Sequence, residues 1–335
     1  MHYDLAVVIP THNRLAMLER VLAALAAQTY PTDRFEVVVV CDGCHDDTYS
    51  TLQALRTPFH LRAVEQAASG PANARNRGVG ETDARVVVFL DDDMLATPDL
   101  IAEHMRVHDA PNRVVIGRLL PDLDTPLAGW TRWEQRTWDR RYAAIERGEV
   151  AAGGQHVFSG NVSIPRDLFV LVGGFNTALK RAEDTELGYR LERAGAQFRF
   201  NGRAAGMHCG VHSFPKWRTI QYTYGRYDVR LADREGYGVL LPLGEWFRQR
   251  NWLNRVVVRA AVGRLAVQKL ILLLAEVSAR ITDRAALQRG SHWSYSVIAN
   301  ILYWQGVADE LGGTERLWER IGAPNTTTQR STHHA

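Results

Sequence analysis

The feature that most constrains this chain is a regular alternation in its first 115 residues. Short β-branched apolar runs take turns with stretches of helical spacing. Leu5–Pro10 (LAVVIP), Glu36–Val40 (EVVVV), Leu61–Glu65 and Arg85–Leu90 (RVVVFL) read as strands. Arg14–Gln28 has helical spacing through Leu18, Val21, Leu22 and Leu25, and Thr48–Leu55 and Pro71–Gly78 read as further helices. The order β-α-β-α-β-α-β predicts a parallel sheet covered by helices on both faces. Open sheets of this kind bind ligands beyond the carboxyl ends of their strands. Polar residues stand at three such ends: Thr11, His12 and Asn13 after the first strand, Asp42 after the second, and Asp91, Asp92 and Asp93 after the fourth.

Three adjacent carboxylates behind an apolar strand repel one another, and side chains two apart project the same way. A cation is expected among them, and an all-oxygen environment suits Mg²⁺ or Mn²⁺, with phosphate supplying further ligands. The competing reading is a solvated acidic turn. Glu183 and Asp184 open a helical pattern at Ala182–Gly195. The helix dipole favours acids there, but a carboxylate can also serve as a general base. Gly206-Met207-His208-Cys209-Gly210-Val211-His212 sets two histidines among small residues. His208 is the better candidate to complete an oxygen/nitrogen metal site, with His212 second.

The middle of the chain is mixed. Gly129–Tyr142 reads as a helix bearing Trp130, Trp133 and Trp138, which either wall an acceptor or pack the helix down. Phe158–Pro165 reads as a strand. His212–Arg218 (HSFPKWR) reads as a loop that either closes over a ligand or is merely solvated. Beyond Trp217 the pattern is helical to about Ile321, and the polar tail Asn325–Ala335 reads as disordered. Val256–Ala275 reads as one long helix. Arg259, Arg264 and Lys269 interrupt it, so it lacks the ~20 apolar residues of a membrane span. It either packs within the protein or an oligomer, or lies on a membrane surface.

Composition narrows the partners. The 335 residues carry 40 Lys+Arg against 37 Asp+Glu, a net charge of +3, which gives no basis for nucleic-acid binding. Lysine occurs only at Lys180, Lys216 and Lys269, which with the abundant alanine looks like a high-GC bacterial composition. The three cysteines, Cys41, Cys44 and Cys209, are too few for a disulfide scaffold and fit a reducing compartment. The C-x-x-C at 41–44 reads as chance spacing at a strand end, with redox or metal chemistry the alternative. No signal-peptide pattern follows Met1, so a cytoplasmic location is expected.

Taken together, VVIPTHNR at 7–14, VVVVCDG at 37–43, GPANARNRG at 70–78, VVVFLDDDM at 86–94, GGFN at 173–176 and AEDTELGYRL at 182–191 resemble the inverting glycosyltransferases of family 2. The resemblance covers roughly residues 4–215. It implies the GT-A fold, with residues 1–115 as the nucleotide-sugar half, 116–215 as the acceptor and catalytic half, and 216–324 as a helical extension before the 325–335 tail. It assigns Pro10, Thr11, Asn13, Arg14, Asp42, Arg75, Asp91 and Asp92 to the nucleotide-sugar, and Asp93 with His208 to Mn²⁺ or Mg²⁺. Asp184 becomes the general base, with Glu183 beside the acceptor. The QxxRW element of the family's processive members is absent; Gln221–Arg226 (QYTYGR) does not match it. Transfer of a single sugar, with a UDP-sugar as the expected donor, to a glycan, lipid-linked or small-molecule hydroxyl is the implied activity. Bacterial surface-glycan, glycoconjugate or natural-product synthesis is the implied setting. A homo-oligomer and membrane contact through 256–275 at the inner face are further expectations. The rivals are a sugar nucleotidyltransferase, which usually carries a glycine-rich loop that residues 9–16 lack, and an inactive nucleotide- or sugar-binding module.

Overall fold

Four strands and three helices account for the N-terminal part: β1 (Leu5–Thr11), α1 (Leu15–Ala26), β2 (Phe35–Asp42), α2 (Thr48–Ala54), β3 (His60–Gln66), α3 (Pro71–Gly80) and β4 (Val86–Leu90). The computed structural model describes residues 3–122, 126–210, 212–234 and 242–322. β1, β2 and β4 are buried on both faces, as their uninterrupted apolar runs require of central parallel strands. Alternate residues serve opposite cores. Leu5, Val7, Ile9, Val37, Val39, Val86 and Val88 pack with Leu18, Val21, Leu22 and Leu25 of α1. Val8, Val38, Val40, Val87 and Phe89 pack on the other side with Ala74 and Val79 of α3.

The chain then runs through β5 (Met94–Ala96), α4 (Leu100–Val107), β6 (Arg113–Pro121), α5 (Gly129–Glu146), a 3-10 turn at Gly154–His156, β7 (Asn161–Pro165), α6 (Arg166–Leu171), α7 (Glu183–Arg193) and β8 (Gln197–His208). The eight strands form one sheet in the order β3-β2-β1-β4-β7-β6-β8-β5. The β3-β2-β1-β4 half is parallel, β7 is antiparallel to both β4 and β6, β6 and β8 are parallel, and β5 runs antiparallel to β8. This mixed sheet flanked by helices is the GT-A arrangement. A helical region follows: α8 (Phe214–Arg234), α9 (Leu243–Gln249), α10 (Trp252–Ala261), α11 (Leu265–Arg284), α12 (Gln288–Leu311) and α13 (Thr314–Gly322). By contacts the chain divides into two units. The sheet unit comprises Met1–Pro126 and Thr137–Gly210, and the helical unit Leu127–Arg136 and Val211–Ala335.

Three local expectations change. Val256–Ala275 is not one helix, because Gly263 adopts φ +79° and breaks α10 from α11. The missing side chain permits that left-handed turn, and the Gly263 N–H is donated to Gln305 Oε1 at 3.0 Å. The strand expected from Phe158 begins only at Asn161, since Phe158–Gly160 form a turn closed by the Asn161 N–H on the Phe158 carbonyl at 3.1 Å. Most of His212–Arg218 is the first turn of α8 rather than a free loop. Phe214 stacks on the fully buried Trp217, and Arg218 pairs with Glu276 at 2.9 Å. The expected tail, Asn325–Ala335, lies outside the described residues.

The α5 tryptophans are packing residues. Trp130 and Trp133 contact Phe214 and Trp217 within the helical unit, while Trp138 lies against Tyr142 and Phe158 in the sheet unit. Cys41 is fully buried in β2, and burial, with Cys44 nearby, pushes its thiol up to about 12. A thiol so hard to ionise is a poor nucleophile or metal ligand.

Candidate active site

Strand register brings the site together. β1 pairs in parallel with β2 and β4, so Thr11, Asp42 and Asp91 emerge at the same edge of the sheet. β5 follows the aspartate triplet at once and pairs with the end of β8, Met94 opposite His208. That pairing, together with the Cys209 N–H donated to the Asp93 carbonyl at 2.8 Å, carries His208 to the triplet across more than a hundred residues of chain.

The three aspartates have separate surroundings. Asp92 is buried and held on both oxygens: Thr11 Oγ1 donates to Oδ2 at 2.8 Å and Arg14 Nη1 to Oδ1 at 2.7 Å. Burial is the main cause that pushes its carboxyl up to about 6, against the pull of Thr11 and Arg14. Asp93 receives Arg14 Nη1 at 3.0 Å on Oδ2, and its Oδ1 lies 3.6 Å from His208 Nε2. Asp91 pairs with Arg75 Nη2 at 2.7 Å. Arg75, itself buried, reaches Glu183 Oε1 at 3.3 Å with its other nitrogen. One guanidinium therefore ties the triplet to the first residue of α7, and Asp184 is the next. Burial, then the neighbouring Glu183 charge, pushes the Asp184 carboxyl up to about 7, while Arg75 and the Thr185 and Ser159 N–H groups pull it down.

Asp42 occupies the far side. Its carboxylate accepts Gln66 Nε2 at 2.8 Å, the Ser69 N–H at 2.7 Å and the Gly70 N–H at 2.8 Å. A carboxylate has about four acceptor positions, so one remains for an N–H or O–H of a ligand. His12 Nδ1 contacts the Asp42 carbonyl at 2.6 Å. Asn13, at φ +53°, turns its side-chain oxygen to the His45 and Asp46 N–H groups, holding the loop beyond β2 in place. Pro10 is the partly exposed penultimate residue of β1.

All the expected residues but His212 thus belong to the sheet unit, on the strand ends and on α3 and α7 beside them, but their present partners differ. Asp42, Asp93, His208 and Asp184 retain capacity for a ligand. Thr11 and Asp92 are buried and bonded to each other, and the buried Arg75 is bonded to Asp91 and Glu183. Asn13 orders a loop. His212 falls in the helical unit, where its carbonyl accepts Trp130 Nε1 at 2.9 Å. Sequence reasoning missed the two glycines that leave room. A Cβ on Gly160 would sit 2.7 Å from Asp91 Oδ2, and one on Gly210 would sit 2.6 Å from Asp93 Oδ2 and 3.0 Å from the His208 ring. The only sequence signal for them was their place beside polar site residues. Ser69 and Gly70, which hold Asp42 by backbone, carry no side-chain signal at all.

Five carboxyl groups, Asp91–Asp93, Glu183 and Asp184, face two guanidiniums, Arg14 and Arg75. No cluster of three His, Cys, Asp or Glu poised for a metal occurs among the described residues. Asp93 and His208 nevertheless form a converging oxygen/nitrogen pair, with the space beside it kept open by Gly210. This pair fits a divalent cation that takes its remaining ligands from phosphate and water, as Mg²⁺ and related ions usually do.

The fold and this edge define a glycosyltransferase of GT-A type. Residues 6–170 match the model of "Glycosyl transferase family 2", and the chain belongs to that family. It is 33% identical over 218 residues to a validoxylamine A glucosyltransferase of Streptomyces hygroscopicus subsp. jinggangensis, covering 57% of this chain and 52% of the relative. A probable glycosyltransferase of Bacillus subtilis, YdaM, is 25% identical over 261 residues, covering 73% of this chain and 58% of the relative. The chain thus spans about half the length of these curated relatives. Its fold resembles a mannosyltransferase of Pyrobaculum calidifontis solved with GDP-Man and Mn²⁺, with TM-score 0.61 and 19% identity over 91% of this chain and 87% of the other. The nucleotidyltransferase reading falls with the family assignment.

Proposed function

We propose that this protein transfers one sugar from a nucleotide diphosphate to a hydroxyl acceptor, with inversion at the anomeric carbon. The observation that carries the reading is Arg75, which joins Asp91 to Glu183 and so fixes the start of α7 beside the triplet. On this reading Asp42 accepts a hydrogen bond from the nucleoside and Arg14 faces the diphosphate. Asp93 and His208 hold the divalent cation. When bound, that cation offsets negative charge on the leaving diphosphate. An anionic donor otherwise meets a strongly acidic edge, which is the electrostatic reason to expect Mn²⁺ or Mg²⁺ dependence.

Asp184 takes the acceptor proton as the hydroxyl oxygen attacks the anomeric carbon. The new glycosidic bond forms as the bond to the diphosphate oxygen breaks on the opposite face, and one displacement inverts the centre. A carboxyl raised towards neutrality by burial and by Glu183 is matched to that task. UDP is the proposed nucleotide, by family resemblance, with dTDP and GDP as alternatives. The similarity to glucosyl- and mannosyltransferases supports a hexose. The acceptor is a glycan, a lipid-linked intermediate or a small natural product, and the proposed location is cytoplasmic.

Thermal shift against UDP, dTDP and GDP, with Mn²⁺ or EDTA, tests the donor half. A bound nucleotide raises the melting temperature by mass action, and the expected result is one nucleotide standing out only with metal. Equal, metal-independent shifts for all three would overturn it. Sugar transfer or donor hydrolysis from the matching nucleotide-sugar tests the catalytic half, and binding without turnover on any acceptor would favour an inactive binding module.

A further inference from the structure

α11 presents an unusual surface. It runs twenty residues, Leu265–Arg284, about 30 Å. One face, through Leu272, Ala275 and Ala279, packs into the helical unit with Ile298 and Ile301 of α12. The opposite face bears Leu270, Leu273, Leu274, Val277 and Ile281, each between 43% and 60% exposed. At 100° per residue these five fall within one arc of the helix. Scattered single apolar residues at a surface need no explanation, but a contiguous stripe does. α10 adds an exposed pair one turn apart, Trp252 and Val256.

The charges around the stripe are of one sign. Lys269 and Arg280 line one margin, and Arg284 stands at its C-terminal end; all three are exposed. The only two acids of α11 are already engaged. Glu276 pairs with Arg218 at 2.9 Å. Asp283 accepts Arg132 Nη2 at 2.8 Å, Ser291 Oγ at 2.6 Å and Tyr295 Oη at 2.7 Å. The face is therefore apolar with a basic margin, the pattern of a helix lying in a membrane interface. No described helix is long and apolar enough to cross a membrane.

We propose that the exposed face of α11 docks the protein on a bilayer that carries anionic headgroups. A second copy is the competing occupant, and charge decides against it. A two-fold interface sets a patch against itself, which would bring the same cations together without an acid to answer them. Anionic phospholipid supplies both the apolar layer and the counter-charge.

The test is flotation of the full chain with vesicles of phosphatidylcholine alone or mixed with phosphatidylglycerol. Binding is expected to rise with the anionic lipid and to fall with added salt. L270E/L274E places charges on exposed sites that no core contact uses. It should abolish flotation while leaving the melting temperature and circular dichroism unchanged. K269E/R280E keeps the apolar stripe, and should weaken binding to anionic vesicles about fivefold or more for each charge removed. Absence of flotation with either vesicle overturns the proposal. So does a dimer in sedimentation that L270E/L274E dissociates, because that result gives the face to a second copy. Flotation that neither double variant reduces also overturns it.

Discussion

At the scale of single residues, the site is governed by two groups that push the Asp184 carboxyl in opposite directions. Glu183 raises it and Arg75 lowers it. Transfer requires the deprotonated base, so kcat should rise with pH through the Asp184 ionisation. E183Q removes the raising charge and frees Arg75 to act on Asp184, so the ascending limb should move to lower pH. R75Q removes the lowering charge, and the limb should move to higher pH. Opposite displacements in the two pH–kcat profiles are the expected result, and displacements of the same sign would assign the limb to another group. D184N should retain nucleotide binding in thermal shift and lose transfer by about 10²–10⁴-fold. Near-normal turnover would show that Asp184 is not the base. The candidate carboxylates and His208 were legible in the sequence because each is a polar residue placed against apolar or glycine-rich surroundings. Their partners were not legible. Nothing in the sequence announces that Thr11 spends its hydroxyl on Asp92, or that Arg75 binds both Asp91 and Glu183, the latter 108 positions beyond Arg75 itself.

Among the elements, α7 matters most, because it delivers Glu183 and Asp184. Its middle lies backbone to backbone on the turn at Gly154. A Cβ on Gly188 would sit 2.1 Å from the Gly154 carbonyl oxygen, and no side-chain adjustment can relieve a clash with backbone. G188A should therefore displace α7, costing about 1–3 kcal/mol as overpacking usually does. It should also lower kcat while nucleotide binding at Asp42 persists. Urea unfolding and a comparison of kcat with nucleotide affinity check both parts, and unchanged stability would mean that α7 stands off the turn in solution. The parallel half of the sheet was legible because β1, β2 and β4 are short apolar runs closed by polar residues, with a helix after β1 and β2. The short strand β5 and the long strand β8 were not. β5 is three residues long and pairs only with β8, far along the chain, and no local pattern encodes that partnership. The break between α10 and α11 was signalled by Gly263, whose single backbone preference outweighed the hydrophobic continuity on either side.

For the molecule as a whole, the least legible feature is a polar network inside the sheet unit. His104 is fully buried on α4, with Nδ1 2.8 Å from Ser163 Oγ and Nε2 2.8 Å from Asn161 Oδ1. His108, one turn on, contacts the same Ser163 Oγ at 2.7 Å. Asn161 also donates to the Arg118 and Ala204 carbonyls, so α4, β7, β6 and β8 meet at one cluster. Burial is the first cause that depresses His104 to about 4 and His108 to about 3. A histidine held neutral in the fold contributes stability that is fully present above its unfolded pKa, near 6.5. That stability is lost as pH falls, because the unfolded chain takes up the proton first. The slope is about 1.4 kcal/mol per pH unit for each such group. His156, depressed to about 4, acts in the same sense. Asp92, Glu134 and Asp184, raised to about 6, 7 and 7, act in the opposite sense, since folding becomes easier as acid neutralises them. The opposing slopes flatten the total between about pH 6 and 4.5, so the wild-type curve alone says little about the cluster. A difference measurement isolates it. H104Q cannot take up a proton in either state, so its stability relative to wild type should improve by about 1.4 kcal/mol for each unit of acidification in that window, whatever its starting deficit. Urea midpoints for the two proteins at a series of pH values read this directly. Parallel curves would mean that His104 titrates alike in folded and unfolded chains, and the network would then hold no buried neutral histidine.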